Sequence, residues 1–299
     1  MPDGFLNLHK PAGWTSHDCV AKLRRLLKTK KIGHAGTLDP AATGVLPVAV
    51  GRATRLLQYL SSDKAYRAVV QLGTTTDTDD LDGAILTQMS ASHLTQARVL
   101  EQLSNFQGEI EQIPPMYSAI HVNGQRLYDL ARRGDADTMD VPSRPVIIHS
   151  IDVLDWQPGE SAHITLDIAC GTGTYIRSIA RDLGQALGVG GTLASLIRTQ
   201  SSGFTLDTSI ALDTVSEQPN HIDLITPALV MGHLPKIVLS PEAARRWCLG
   251  QRLAIEPTVA LEQPLRVVTE TRPFLGIGVF RLRDDQPYFA PKMVFEQVG

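Results

Sequence analysis

The sequence predicts an α+β fold: a mixed, largely antiparallel sheet carrying helices, followed by a small β-rich module. Three observations carry this reading. Strand-like runs and helical spacings alternate from Gly4 to Thr199 without the steady strand-helix-strand rhythm of a doubly wound fold. Near residue 233 the pattern restarts as one capped helix followed by short strands. Between these parts no internal repeat is found. The expected division is therefore residues 1–230 and 233–299, with an excursion from the sheet at about 113–145.

In chain order, residues 4–8 read as a strand entering the Lys10-Pro11-Ala12-Gly13 turn. Thr15 or Ser16 caps a helix whose Val20, Leu23 and Leu27 share one face, with Lys22, Arg25 and Lys28 on the other. A glycine-rich loop at 33–44 runs into an apolar strand at 45–51, and 52–60 reads as a short helix. A strand at 64–72 leads into a turn at 74–83 rich in Asp and Thr, then a strand at 84–86. Leu94, Ala97, Leu100 and Leu103 space a helix to about residue 105. In the excursion, Asn123-Gly124 signals a hairpin turn and 125–133 a short helix. This segment is basic (Arg126, Arg132, Arg133, Arg144), with Tyr117 and Tyr128 expected at its surface, and is read as able to fold over a ligand. Strands return at 146–156 and 163–170. From Thr174 a helix places Ile176, Ile179, Ala180, Leu183 and Leu187 at helical spacing, and a strand follows at 193–199. In the last module Ser240 caps a helix with Pro241 in its first turn, before strands near 253, 265–268, 274–281 and 288–294.

Composition narrows the function classes. With 299 residues, 43% hydrophobic and 20% charged, the chain is ordinary for a globular protein. No run approaches the ~20 apolar residues that span a bilayer. Met1-Pro2-Asp3-Gly4 lacks the charged and apolar regions of a signal peptide. Cys19, Cys170 and Cys248 are far apart and form neither a disulfide framework nor a zinc pattern, so a reducing, cytoplasmic location is expected. The net charge is −3, yet residues 1–60 carry nine Lys and Arg against three Asp. That uneven layout suits a nucleic-acid face.

The stretch Gly33-His34-Ala35-Gly36-Thr37-Leu38-Asp39-Pro40-Ala41-Ala42-Thr43-Gly44 places one carboxylate in a stiff loop above an apolar strand. Pro40 pushes Asp39 towards an extended conformation, and the glycines let a ligand approach the main chain. Cys170-Gly171-Thr172-Gly173-Thr174-Tyr175 resembles a dinucleotide-binding turn, but position 176 is Ile where a third glycine is needed, which excludes that cofactor site. What remains is a helix start able to seat an anion. Arg177 lies in its first turn, against the helix dipole, which points to a partner such as a carboxylate elsewhere. Asp77, Asp79, Asp80 and Asp82 lack the ligand order of a calcium loop and read as a solvated turn. The nine histidines form no metal pattern. Neither a metal nor a cofactor is expected.

Residues 33–47 resemble the catalytic motif of the bacterial TruB type of tRNA pseudouridine synthase. Leu6-Asn7-Leu8-His9-Lys10-Pro11, Lys64-Ala65-Tyr66-Arg67, the stretch 73–83, Pro115-Met116-Tyr117-Ser118-Ala119 and Gly173-Thr174-Tyr175-Ile176-Arg177-Ser178 resemble further blocks of that family. The likeness is strong over 4–205 and weaker in a C-terminal module similar to a PUA domain, an RNA-binding β-barrel. It implies a pseudouridine synthase fold with a thumb at 113–145. It also implies isomerisation of uridine 55 in the T-loop of tRNA, with base flipping and no cofactor. By resemblance, Asp39 is the catalytic aspartate, Tyr66 stacks on the target uracil and Arg177 pairs with Asp39. His34 contacts the flipped nucleotides, Tyr175 and Leu196 line the pocket, and Lys10 supports its wall. The chain departs from many family members at Gly171-Thr172, where they have Ser-Lys, and at Ile197, where they have a basic residue. The expected partner is the tRNA T-arm, bound by a monomer without an obligate protein partner. An RNA-binding or RNA-folding module without catalysis fits the basic segment and the final module equally well, but leaves the Asp39 loop unexplained.

Overall fold

A computed structural model describes residues 3–118, 120–122, 125–127, 141–219 and 221–296. The chain opens with β1 (Gly4–Lys10), α1 (Ser16–Leu26), β2 (Ile32–His34) and β3 (Thr43–Val50). Thr15 is the cap of α1. Its hydroxyl accepts from the Asp18 N–H, and the Asp18 carboxylate accepts from the Thr15 N–H, both at 3.0 Å. The short helix expected at 52–60 is a 3₁₀ helix over Gly51–Tyr59. No side chain caps its start, and the tighter i→i+3 turn suits so short a connector.

Next come β4 (Lys64–Leu72), the hairpin of β5 (Thr74–Thr76) and β6 (Ile85–Gln88), α2 (Gln96–Leu103) and β7 (Gly108–Gln112). β7 has no counterpart in the sequence reading. Its Gly-Glu-Ile-Glu-Gln holds one apolar residue and sits at the sheet edge, where little alternation is required. Within the excursion, β8 (His121–Val122) pairs antiparallel with β9 (Gln125–Arg126). The expected turn at Asn123-Gly124, and Tyr128, Arg132 and Arg133 of the expected helix, lie outside the described residues. Gln125 and Arg126, expected to begin that helix, are strand.

The large sheet is completed by β10 (Arg144–Gln157), β11 (Ala162–Cys170), β12 (Gly191–Ser201), β13 (Phe204–Thr205) and β14 (Ile210–Ala211), with α3 (Ile176–Ala186) before β12 and α4 (Leu212–Glu217) after β14. The ten strands run β14-β1-β3-β12-β4-β11-β10-β7, with β2 on β3 and β13 on β12. The β1–β14 and β3–β12 pairs are parallel and the others antiparallel, so the sheet is mixed and mostly antiparallel.

Burial follows from pattern. β11 alternates buried and half-buried residues, and its Ile164, Leu166 and Ile168 join Val99, Ile179 and Leu183 of α2 and α3 in one core. β3 shows no alternation because both its faces are covered. Leu46, Val48 and Val50 pack with Val20 and Leu23 of α1, while Val45 and Ala49 enter a separate cluster.

α5 (Pro227–Val230) leads to a four-stranded sheet of β15 (Lys236–Val238), β16 (Leu265–Val268), β17 (Gly276–Arg283) and β18 (Gln286–Val294), with α6 (Pro241–Cys248) packed on it through Trp247. This second sheet shares core with the first. Phe274, Ile277, Met293 and Phe295 pack into the cluster of Phe5, Val45, Ala49 and Leu56. Arg52 reinforces the junction, donating to the Phe295 carbonyl at 2.7 Å and to the Asp3 carboxylate at 2.6 Å. Among the described residues no helix is long and apolar enough to cross a membrane.

Candidate active site

The site is built on the loop between β2 and β3, and three buried polar side chains give that loop its shape. Ser16 Oγ accepts from Leu38 N–H at 2.9 Å and donates back to Leu38 O at 3.3 Å. Lys10, fully buried, donates to the carbonyls of Pro11, Trp14 and Pro40 at 3.0, 2.7 and 3.1 Å. Arg198, also fully buried, donates to the carbonyls of Val45, Thr37 and Gly36 at 2.7, 3.3 and 3.1 Å. Each satisfies loop carbonyls that would otherwise be desolvated without partners. Lys10 therefore acts inside the loop's support and is not on the pocket surface. Burial lowers its pKa from the ordinary lysine range, while Cys19 and Asp39 oppose the shift.

Asp39 emerges from this scaffold with its side chain 46% exposed, and Arg177 Nη2 lies 3.0 Å from its Oδ2. Arg177 is only 6% exposed. It also donates to the carbonyls of Thr78 and Tyr117, both at 3.0 Å, and lies 3.7 Å from the Asp80 carboxylate. Four acceptors explain a cation in the first turn of α3. Gln112, 2% exposed, fixes that turn: it donates to Tyr175 O at 3.0 Å and accepts from Tyr175 N–H at 2.8 Å.

The Asp77–Asp82 turn is not simply solvated, as the sequence reading had it. Asp80 faces Arg177, and Asp79 pairs with Arg181 at 3.0 Å, their side chains 18% and 13% exposed. Burial raises Asp79 above the usual carboxylate range, with Arg181 pulling it back. Leu193 N–H donates to the Asp79 carbonyl at 3.0 Å and Arg177 to the Thr78 carbonyl, which holds this turn against β12 and α3 in a way that local composition does not reveal.

Asp39 and Arg177 line a pocket of about 280 Å³, together with Lys64, Tyr66, Tyr175 and Leu196. Tyr66 enters from β4, where it is paired with Arg198 of β12. Burial pushes its phenol above the ordinary tyrosine range, and the charge of Arg198 and a hydrogen bond from it partly offset this. Tyr175 is raised for the same first reason. His34 lies on β2, outside the pocket lining. Its ring meets His17 edge-on at 5.3 Å, and burial followed by the charges of His17 and Arg198 lowers its pKa, opposed by a hydrogen bond with the Gly36 backbone.

Residues 24–176 match the family described as TruB family pseudouridylate synthase (N terminal domain), and residues 235–292 match Pseudouridine synthase II TruB, C-terminal. The chain belongs to the TruB family of pseudouridine synthases. A relative from Gloeothece citriformis named tRNA pseudouridine synthase B is 56% identical over 97% of this chain and 96% of its own. One of the same name from Trichormus variabilis is 53% identical over 99% of both. Among solved structures, an H/ACA RNP bound to a substrate RNA containing 2′-deoxyuridine aligns over 98% of this chain and 85% of its own, with TM-score 0.73 and 25% identity. A Cbf5-Nop10-Gar1 complex aligns equally well, with TM-score 0.73 and 25% identity.

Set against the TruB resemblance, the pocket brings together Asp39, Tyr66, Arg177, Tyr175 and Leu196, while Lys10 and His34 stand outside its lining. Sequence reasoning missed Arg198, Asp80 and Gln112. Arg198 left one signal, a charge in mid-strand between Ile197 and Thr199. Gly44 left another: with φ +105°, a Cβ there would collide with the Arg198 backbone across the β3–β12 pairing.

Proposed function

We propose that this protein isomerises uridine 55 in the T-loop of tRNA to pseudouridine, with Asp39 as the nucleophile. The observation that carries the proposal is the half-exposed Asp39 carboxylate, 3.0 Å from a buried Arg177, in a pocket that also holds Tyr66. A carboxylate met by a planar guanidinium at this distance is oriented for attack. The reaction breaks the N1–C1′ glycosidic bond, turns the base and joins C5 to C1′, with no redox change and no hydrolysis. An Asp39 oxygen either adds at C6 of the base and leaves after the C5–C1′ bond has formed, or bonds C1′ of the ribose as N1 departs and is displaced as C5 attacks.

The target base must leave its stack to reach Asp39, so the nucleotide is flipped into the pocket. Tyr66 is assigned two tasks there, stacking on the uracil and relaying the proton that leaves C5 and returns to N1. A neutral, buried phenol suits a relay, since its hydroxyl takes one proton as it gives up another. Tyr175 and Leu196 close the pocket, and His34 meets the displaced nucleotides at its rim. Residues 1–230 form the catalytic part, with a thumb over 113–145, and 233–299 a PUA-like RNA-binding part. The protein is assigned to the cytoplasm as a monomer that needs no obligate protein partner. The deciding experiment incubates the purified protein with a tRNA transcript and no cofactor, then maps pseudouridine. Formation at position 55 supports the proposal, and an unmodified transcript rejects it.

A further inference from the structure

Lys64 is the one pocket cation that the mechanism above leaves unused. It lies on β4 two residues before Tyr66, so both side chains project from the same face of the strand, and both line the pocket. Lys64 also lines an open groove on the adjoining surface, with Asp63, Ala65, His149 and Gln200. Its amine thus stands at the boundary where a base would pass inward and its sugar-phosphate chain would stay outside.

Among the described residues no carboxylate pairs with this charge, and Lys64 makes no side-chain hydrogen bond. The neighbouring Asp63 turns to His149 at 3.7 Å, and Asp39 is held by Arg177. A second cation lies close. A Cβ at Gly36, whose φ is +72°, would sit 3.3 Å from Arg198 Nη1 and 3.8 Å from Lys64 Nζ. Among the described residues the partners of Arg198 are carbonyls and a phenol. Burial and the repulsion of Arg198 both lower the Lys64 pKa. Two partly desolvated cations meeting over a bare glycine, with no carboxylate between them, are costly until an anion arrives.

We propose that Lys64 binds a backbone phosphate flanking the flipped uridine, anchoring the nucleotide while its base occupies the pocket. The proposal rests on the RNA-uridine reading above. A T-arm stem-loop RNA is prepared in native form and with one uncharged methylphosphonate, either 5′ or 3′ of the target uridine. Each is titrated at several salt concentrations against the parent, Lys64→Gln, Lys64→Met and Lys64→Arg, all checked for folding by thermal melting.

The expected result is an affinity loss of about tenfold for Lys64→Gln on native RNA, a salt slope smaller by about one, and recovery in Lys64→Arg. On one methylphosphonate RNA the parent and Lys64→Gln should bind alike. The proposal is overturned if Lys64→Gln, or Lys64→Met should the first variant not fold, binds native RNA like the parent. It is equally overturned if the loss is the same on all three RNAs. Pseudouridine formation by the parent on native RNA is measured separately. Its absence rejects the enzymatic reading, whereas the binding data alone decide the role of Lys64.

Discussion

Two buried arginines, one lining the pocket and one behind its Asp39 loop, are held in opposite ways. Arg177 lies on a helix, 6% exposed, and its guanidinium meets two carboxylates and two carbonyls. Arg198 lies on a strand, fully buried, and meets three carbonyls and a tyrosine hydroxyl, with no carboxylate among the described residues. The first arrangement sets the direction of a reacting group. The second uses a fixed fork of donors to hold a loop in shape, and leaves its net charge uncancelled. Burial alone therefore does not tell a chemical arginine from a scaffolding one. The partners do.

Removing the anion that faces Arg177 should have the largest effect. Asp39→Asn keeps the loop, whose bonds run through Ser16, Lys10 and Arg198, so single-turnover pseudouridine formation should vanish while tRNA affinity and melting temperature hold. A measurable rate in this variant would remove Asp39 as nucleophile. On the Arg198 side, Tyr66→Phe should bind tRNA normally and lose roughly a hundredfold in single-turnover rate, the size of a positioned proton-transfer group. Because burial holds the Tyr66 phenol above the ordinary range, the parent should show no change attributable to its ionisation between about pH 7 and 9. A Tyr66→Phe enzyme within a few-fold of the parent would leave stacking alone.

The arginines themselves sharpen the contrast. Arg177→Lys keeps the charge but loses the two-pronged geometry, and should cost roughly tenfold or more in rate, with a smaller loss of stability than at Arg198. Arg198→Lys cannot reach all three carbonyls. It should lose at least about 1.5 kcal/mol of stability, seen as a melting temperature several degrees lower, with the smallest effect on rate. If Arg198→Lys proved as stable as the parent and Arg177→Lys melted early, the two roles would have to be exchanged.

Much of this was legible before any coordinates. The Asp39 loop could be read because its constraints are local: Pro40 restricts Asp39, and glycines relieve the backbone within a dozen residues. The α1 cap and the apolar spacing of α3 were readable for the same reason. Arg198 and Asp80 were not. An arginine in a strand and an aspartate in an acidic turn both carry the local signature of solvent exposure. β7 escaped because an edge strand with one apolar residue shows no period.

The chain's local chemistry was enough to specify an α+β protein, a carboxylate-bearing loop and a cation misplaced on a helix dipole, since propensity, capping and turn geometry act over a few residues. Long-range pairing settled the rest. Arg198 is buried because β12 inserts between β3 and β4, and Arg177 finds Asp39 because the Asp39 loop and the start of α3 meet at one pocket. The final module, expected as a separate piece, shares a core with the large sheet because Phe274 and Phe295 meet Phe5 and Leu56 across more than 200 residues. Such contacts depend on which surfaces remain uncovered once the strands have paired, and no local pattern encodes that.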